Sequence, residues 1–167
     1  MFHKLIARRS SFIPIPSIHI LFRSLFPTKV PHHLSKIWLN KGDNYIWLSR
    51  STFSIAFIVK LRSDKYSNKV INIFVPDYYC NTSLSLIRGN NINLFFYNVN
   101  SELEPDKSSI NKLLSRTKPD IIIQAHYFGA SSDTSYIRKI CDDNNCWFVE
   151  DATHIMIPFG SIGKNGD

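Results

Sequence analysis

The chain has 167 residues, of which 44% are hydrophobic, 13% aromatic and 20% charged. That composition suits one globular domain, or a piece of a larger protein, and excludes a disordered chain. No apolar run reaches the ~18 residues of a membrane-spanning helix. The three cysteines (Cys80, Cys141, Cys146) are too few for a disulfide framework and lack metal-ligand spacing, so no metal site and a reducing, cytoplasmic compartment are expected. The formal net charge of +7 is uneven. Residues 1–70 carry twelve Lys/Arg against two Asp/Glu, and residues 71–167 carry eight against eleven. A uniformly basic nucleic-acid face is therefore not expected.

Residues 1–40 are broken by Pro14, Pro16, Pro27 and Pro31, and each proline removes a backbone donor and restrains a helix through its position. They read as an irregular basic arm with one or two short helical turns. The acid-free start has the composition of an organelle transit peptide. A solvated arm packing on a partner subunit is the preferred reading, because the prolines interrupt any amphipathic helix.

Regular structure is expected over residues 41–167. Tyr45–Leu48 is a short apolar run read as a strand, and Thr52–Leu61 a helix with Ile55, Ile58 and Val59 on one face. Val70–Val75 is β-branched and stops at Pro76, as a strand does. Asn81–Arg88 predicts a short helix ended by Gly89, and Ile92–Val99 a second strand. Asp106 caps a predicted helix carrying Ile110, Leu113 and Leu114. Asp120–His126 is apolar on both faces. Asp133 caps a further helix carrying Ile137, Ile140 and Cys141, and Cys146–Val149 is a buried strand ending at Glu150-Asp151. Continuous apolar strands alternating with helices predict an α/β fold, three layers around a mainly parallel sheet.

In such folds, functional groups gather at the carboxyl ends of the strands, and four clusters fall there. Ser49-Arg50-Ser51-Thr52 opens a helix, whose N–H groups and dipole suit a phosphate; simple capping by Ser51 is the alternative. Neither a Walker-type lysine nor a GxGxxG is present. Tyr78 and Tyr79, in Pro76-Asp-Tyr-Tyr-Cys80, either stack on a planar ligand or fill the top of the core. His126, in His126-Tyr-Phe-Gly129, is either a ligand donor or a satisfied histidine at a strand end. Glu150-Asp151-Ala-Thr-His154 is the sharpest cluster. Strand alternation sends the two carboxylates to opposite sides, so one can face a site while the other binds neighbouring backbone.

Taken in order, these clusters resemble the DegT/DnrJ/StrS sugar aminotransferase family. The carrying residues are Leu48-Ser-Arg-Ser-Thr52, Val75-Pro-Asp-Tyr-Tyr-Cys80, Lys118-Pro-Asp-Ile-Ile-Ile-Gln-Ala-His-Tyr-Phe-Gly129, Val149-Glu-Asp-Ala-Thr-His154 and Gly160-Ser-Ile-Gly-Lys-Asn-Gly-Asp167. The resemblance spans about residues 40–167. It implies the aspartate aminotransferase-like fold (fold type I) and pyridoxal 5'-phosphate as cofactor. Asp151 would keep the cofactor's ring nitrogen protonated. Ser51, Thr52 and the backbone of Phe53 would hold its phosphate. His154 would sit near its ring hydroxyl, where the family usually has glutamine. Tyr79, or Tyr78, would stack on the ring in place of the family's aromatic at the position of Cys80.

The resemblance further implies transfer of an amino group, from glutamate, to a nucleotide-linked keto sugar in polysaccharide or amino-sugar biosynthesis. A homodimer is implied, without nucleic acid or membrane, and the basic arm would touch the partner or the anionic substrate. The family's catalytic lysine lies a short way beyond the Gly-Asp pair at which this sequence ends, and Lys164 precedes that motif. The expectation is therefore an incomplete large domain, an N-terminal fragment that does not transaminate alone. A non-catalytic module that binds cofactor or partner is the alternative. A small α/β protein with a nucleic-acid-binding arm is a third reading, disfavoured by the acidic surplus after residue 70.

Overall fold

The structure, a computed structural model, describes residues 17–26, 33–67, 70–89 and 91–167. The expectations for Pro14, Pro16, Pro27 and Pro31 lie outside these residues. The chain divides into two compact units, Met1–Leu34 and Ser35–Asp167. In the first, helix α1 (Ile18–Ser24) is capped by Ser17, whose hydroxyl accepts the Ile20 N–H at 3.4 Å. A single helical turn, α2, spans His33–Lys36.

The second unit is built on four parallel strands: β1 (Ile71–Pro76), β2 (Ile92–Tyr97), β3 (Ile121–Ala125) and β4 (Trp147–Asp151). They lie in the order β2-β1-β3-β4. Three helices accompany them: α3 (Ser51–Tyr66), α4 (Lys107–Leu114) and α5 (Ser135–Asn144). A 3₁₀ helix spans Asn81–Ile87.

Alternation along the strands sorts the core into two layers. Ile71, Ile73 and Val75 of β1, with Ile121 and Ile123 of β3, meet Ile55 and Val59 of α3 and Leu84 and Ile87 of the 3₁₀ helix. On the other face Phe74, Ile122 and Phe148 meet Ile110 of α4 and Ile137, Ile140 and Cys141 of α5. Helices cover both faces, which is why β1 and β3 are apolar at consecutive positions. The three-layer parallel α/β architecture expected from the sequence is the one found.

Three local expectations need correction. Tyr45–Leu48 is not a strand: it has no regular structure and its side chains are exposed. The short helix expected over Asn81–Arg88 is present, as a 3₁₀ helix. β2 ends at Tyr97, and Val99 instead makes an isolated bridge to Pro105. The helix begun near Thr52 runs on to Tyr66, past Leu61. Its extra turn hides a charge, Arg62, which is only 4% exposed. The Arg62 guanidinium lies 3.9 Å from the Tyr66 ring centre, and Nη2 donates to the Asn145 carbonyl at 2.8 Å. A charged residue on the inner face is invisible to an apolar periodicity.

α4 is capped as expected: the Asp106 carboxylate accepts the N–H groups of Ser108 and Ser109. At α5 the cap position belongs to Thr134, while the Asp133 carboxylate accepts the Ser135 N–H at 2.9 Å.

Candidate functional site

β1 leads outward to β2 on one side and β3 leads outward to β4 on the other. The chain therefore leaves the carboxyl ends of neighbouring β1 and β3 in opposite directions, and a crevice opens between them. A cavity of about 460 Å³ lies there, within the ~300–1,000 Å³ of small-molecule sites. Its walls are Ser51 from the start of α3, Tyr78–Cys80 after β1, His126–Phe128 after β3, and Asp151, Thr153 and His154 after β4. All four clusters singled out in the sequence thus contribute to one cavity. Ser83 of the 3₁₀ helix joins them.

Glu150 and Asp151 part company as strand alternation requires. Glu150 turns away from the cavity. Its carboxylate receives the N–H groups of Gly163 (2.9 Å), Asn165 (2.7 Å) and Gly166 (2.8 Å), together with Nε2 of His126 at 2.9 Å. Burial acts to raise its pKa, but the His126 bond and the three backbone N–H groups outweigh it and hold the carboxyl below its usual range. His126 is 1% exposed. Its Nδ1 accepts the Ser132 N–H at 3.2 Å, so the ring proton sits on Nε2, which donates to Glu150. Both ring nitrogens of His126 are engaged by the protein.

Asp151 faces the cavity. Its Oδ1 accepts the Thr153 N–H at 3.0 Å and the Thr153 hydroxyl, and its Oδ2 accepts the Tyr79 hydroxyl. Burial first, then the charge of Asp151, push the Tyr79 phenol far above its ordinary pKa, so it remains a donor. The Tyr79 ring packs against the core layer of Ile55 and Val75. The Tyr79 ring lines the cavity, as does that of Tyr78, and its hydroxyl holds the carboxylate. Tyr127 is likewise held by its hydroxyl, which donates to the Tyr78 carbonyl at 2.6 Å. Exposed aromatic surface comes from Tyr78 and Phe128. Phe128 stacks on His154 with ring centres 5.3 Å apart and planes inclined by 14°. Phe128 also takes the left-handed conformation (φ 50°), which costs a bulky residue energy and is concentrated at functional loops.

At the other end of the cavity, the Ser51 hydroxyl lies 3.2 Å from that of Ser83. The residue before Ser51, Arg50, makes no side-chain cap bond, and helix openings leave first-turn N–H groups without intrahelical partners. Thr52 and Phe53 do not line the cavity. The Thr52 hydroxyl donates to the Thr82 carbonyl at 3.3 Å, and the Phe53 N–H donates to the Arg50 carbonyl at 3.1 Å. Ser83 and Thr153 were missed by sequence reasoning. The Asp-x-Thr spacing of 151 and 153 is a local side-chain-to-backbone signal that points to Thr153; nothing comparable marks Ser83.

The cavity therefore combines a carboxylate held by neutral donors, a helix opening with hydroxyls, and an aromatic wall. No lysine or arginine is among its described lining residues. These are the complements of a protonated ring nitrogen, a phosphate and a planar ring, so the donor set fits the cofactor implied by the resemblance. Among the described residues no cluster suits a metal ion and no helix is long and apolar enough to cross a membrane.

Comparison with known proteins bears on the same region. The profile of the DegT/DnrJ/EryC1/StrS aminotransferase family matches residues 58–157. Among solved structures, 3-amino-5-hydroxybenzoic acid synthase is similar at TM-score 0.54 and 15% identity, over 64% of this chain and 27% of that one. The glutamate decarboxylase domain of a diaminobutyrate-pyruvate transaminase and L-2,4-diaminobutyrate decarboxylase from Vibrio parahaemolyticus also has TM-score 0.54 and 15% identity, over 72% and 32%. The chain thus spans less than a third of the length of these structures. No curated protein sequence matches it significantly. The structural likeness establishes the fold, and the family match covers more than half of the sequence: the chain belongs to the DegT/DnrJ/EryC1/StrS aminotransferase family.

Proposed function

We propose that the chain is the cofactor-holding part of a pyridoxal-phosphate-dependent aminotransferase. The parent reaction moves an amino group from glutamate to a nucleotide-linked keto sugar, in polysaccharide or amino-sugar biosynthesis, by a cytoplasmic homodimer. The observation that carries this reading is that Asp151 and the Ser51 opening of α3 line one cavity at the carboxyl end of a parallel sheet. Family membership supports the amino transfer, and the sugar and the donor are what the resemblance implies. Support for a dimer is the exposed apolar surface of α3, where Phe53, Phe57 and Leu61 face outward.

Each residue then has a definite task. Asp151 holds a proton at the pyridine nitrogen by favouring its cationic form. The Ser51 hydroxyl and the first N–H groups of α3 bind the phosphate, with Ser83 beside them and the dipole of α3 adding to the attraction, and the Thr52 hydroxyl joins only on releasing the Thr82 carbonyl. The Phe53 N–H joins only on releasing the Arg50 carbonyl. His154 offers a ring nitrogen to the cofactor's hydroxyl, and its stack on Phe128 fixes the imidazole plane. Tyr78 and Phe128 present aromatic surface toward the planar parts of cofactor and substrate. Bound pyridoxal phosphate supplies the electron sink for removing a proton from the carbon that carries the amino group.

The test is a titration of the full chain with pyridoxal phosphate, followed by tryptophan fluorescence quenching and equilibrium dialysis. Saturable one-site binding, weakened about tenfold or more by Asp151→Asn, is the expected result. Absence of saturable binding overturns the reading.

A further inference from the structure

The reading of Asp151 as the partner of a pyridine nitrogen gives its neighbour Tyr79 a further task, because the Tyr79 ring lines the cavity and packs against the core while its hydroxyl is bonded to Oδ2 of Asp151. We infer that Tyr79 is a positioning residue that sets how strongly Asp151 holds the proton of a bound pyridine ring. This rests on the proposed cofactor reading.

The argument begins with lone pairs. A carboxylate offers about four acceptor sites. Thr153 fills both sites of Oδ1 through its N–H and hydroxyl, and Tyr79 fills one site of Oδ2. One acceptor site, on Oδ2, remains for a ligand. The Tyr79 bond turns that oxygen toward the cavity, and the Thr153 pair prevents the carboxylate from rotating away.

Charge is the second part. The titratable groups around Asp151 are Tyr79 and Cys80 after β1, His126 and Tyr127 after β3, and His154 on its own loop. His126 is committed to Glu150 and Ser132. The Tyr127 hydroxyl is committed to the Tyr78 carbonyl, and burial followed by the charges of Asp77 and Asp151 keep that phenol protonated. No lysine or arginine is among the described residues that line the cavity. Asp151 is thus held by neutral donors, and Tyr79 is the one that shares an oxygen with the incoming ring N–H.

A hydrogen bond donated to a carboxylate draws off negative charge and lowers its basicity. The Tyr79 O–H therefore weakens the pull of Asp151 on the ring proton, and the ring nitrogen loses that proton at a lower pH than it would without Tyr79. Removing the hydroxyl raises the ring-nitrogen pKa. A better donor at the same place lowers it.

The experiment uses pyridoxal phosphate labelled with ¹⁵N in the ring, bound to the full chain, with the nitrogen chemical shift followed against pH. Tyr79→Phe, which keeps the packed ring, is expected to move the midpoint up by about one pH unit. Incorporation of 3-fluorotyrosine at position 79, whose phenol is more acidic, moves it down and does not depend on the folding of the phenylalanine variant. Asp151→Asn moves it down further. Midpoints unmoved by both changes at position 79, with cofactor bound and Asp151→Asn still effective, overturn this inference and leave the cofactor reading standing. Failure of the unmodified chain to bind the cofactor overturns both.

Discussion

Glu150 and Asp151 are consecutive in β4, yet the carboxylate of the first clasps the turn of residues 163–166 while that of the second faces a cavity. The division has a simple origin. Successive side chains of a strand point to opposite faces. Two adjacent acids at a strand end are thereby given unrelated surroundings, one rich in backbone N–H groups and one open to a ligand.

Glu150 is expected to be a stability residue. Its side chain is 3% exposed and accepts four hydrogen bonds. In Glu150→Gln one oxygen becomes an NH₂ group facing donors, and a loss of about 2–4 kcal/mol is expected, measured as a lower urea midpoint. The pH dependence has a definite sign. Because the folded carboxyl titrates below its ordinary value of 4.5, its contribution is complete above that value and is lost as pH falls through the lower, folded one. Urea midpoints measured between neutral pH and pH 3 are expected to fall less steeply in Glu150→Gln than in the unmodified chain.

Gly163 is expected to resist substitution for two separate reasons. Its φ is +69°, and a Cβ there would lie 3.1 Å from the Trp38 ring. Gly129 has φ +84° but nothing within 4 Å of its missing Cβ. Both alanine variants carry the left-handed cost of about 1–2 kcal/mol, and Gly163→Ala adds the clash. Thermal melts should therefore rank Gly163→Ala below Gly129→Ala.

Arg62 tests how a buried charge is tolerated. Its Nε and Nη1 have no hydrogen-bond partner although buried. Orphaned polar atoms are costly, and an apolar side chain of similar length removes that cost. Arg62→Met also strips Asp120 of its charge partner, whose Oδ1 lies 3.6 Å from Nη2, and is expected to cost about 1–2 kcal/mol. Arg62→Ala removes the contact with Tyr66 and leaves a void, costing about 2–4 kcal/mol. Chemical denaturation of the two variants separates lost packing from lost charge.

Ser51 and Ser83 offer a prediction about the phosphate end of the cavity. Their hydroxyls lie 3.2 Å apart. On the proposed reading, Ser51→Ala weakens pyridoxal phosphate about tenfold, because hydrogen bonds to charged groups contribute ~1.5–3 kcal/mol. Pyridoxal, which lacks the phosphate, should bind the variant and the unmodified chain equally, as read by the same fluorescence titration.

Much of this was legible in the residues. The apolar runs of β1 and β3, the Asp106 cap and the helical spacing of α5 each announce themselves within a few positions, because they reflect local periodicity and local hydrogen bonding. The clusters after β1, β3 and β4, and the one opening α3, were visible for the same reason. Misreadings arose where the deciding partner was distant. Tyr45–Leu48 looks like a strand, yet no described strand pairs with it. Arg62 looks like a helix end until Asn145 and Tyr66 surround it.

Within the cavity the split is equally clear. Strand alternation alone dictates that Glu150 and Asp151 diverge. Which of the two faces the cavity depends on where the glycine turn folds back, thirteen to sixteen residues further along. Tyr79 was readable as an aromatic beside a strand end, but its grip on Asp151 links positions 72 residues apart. Periodicity follows from the geometry of each residue and its near neighbours, whereas the pairing of a donor with its acceptor is settled only when the sheet brings remote strand ends to the same edge.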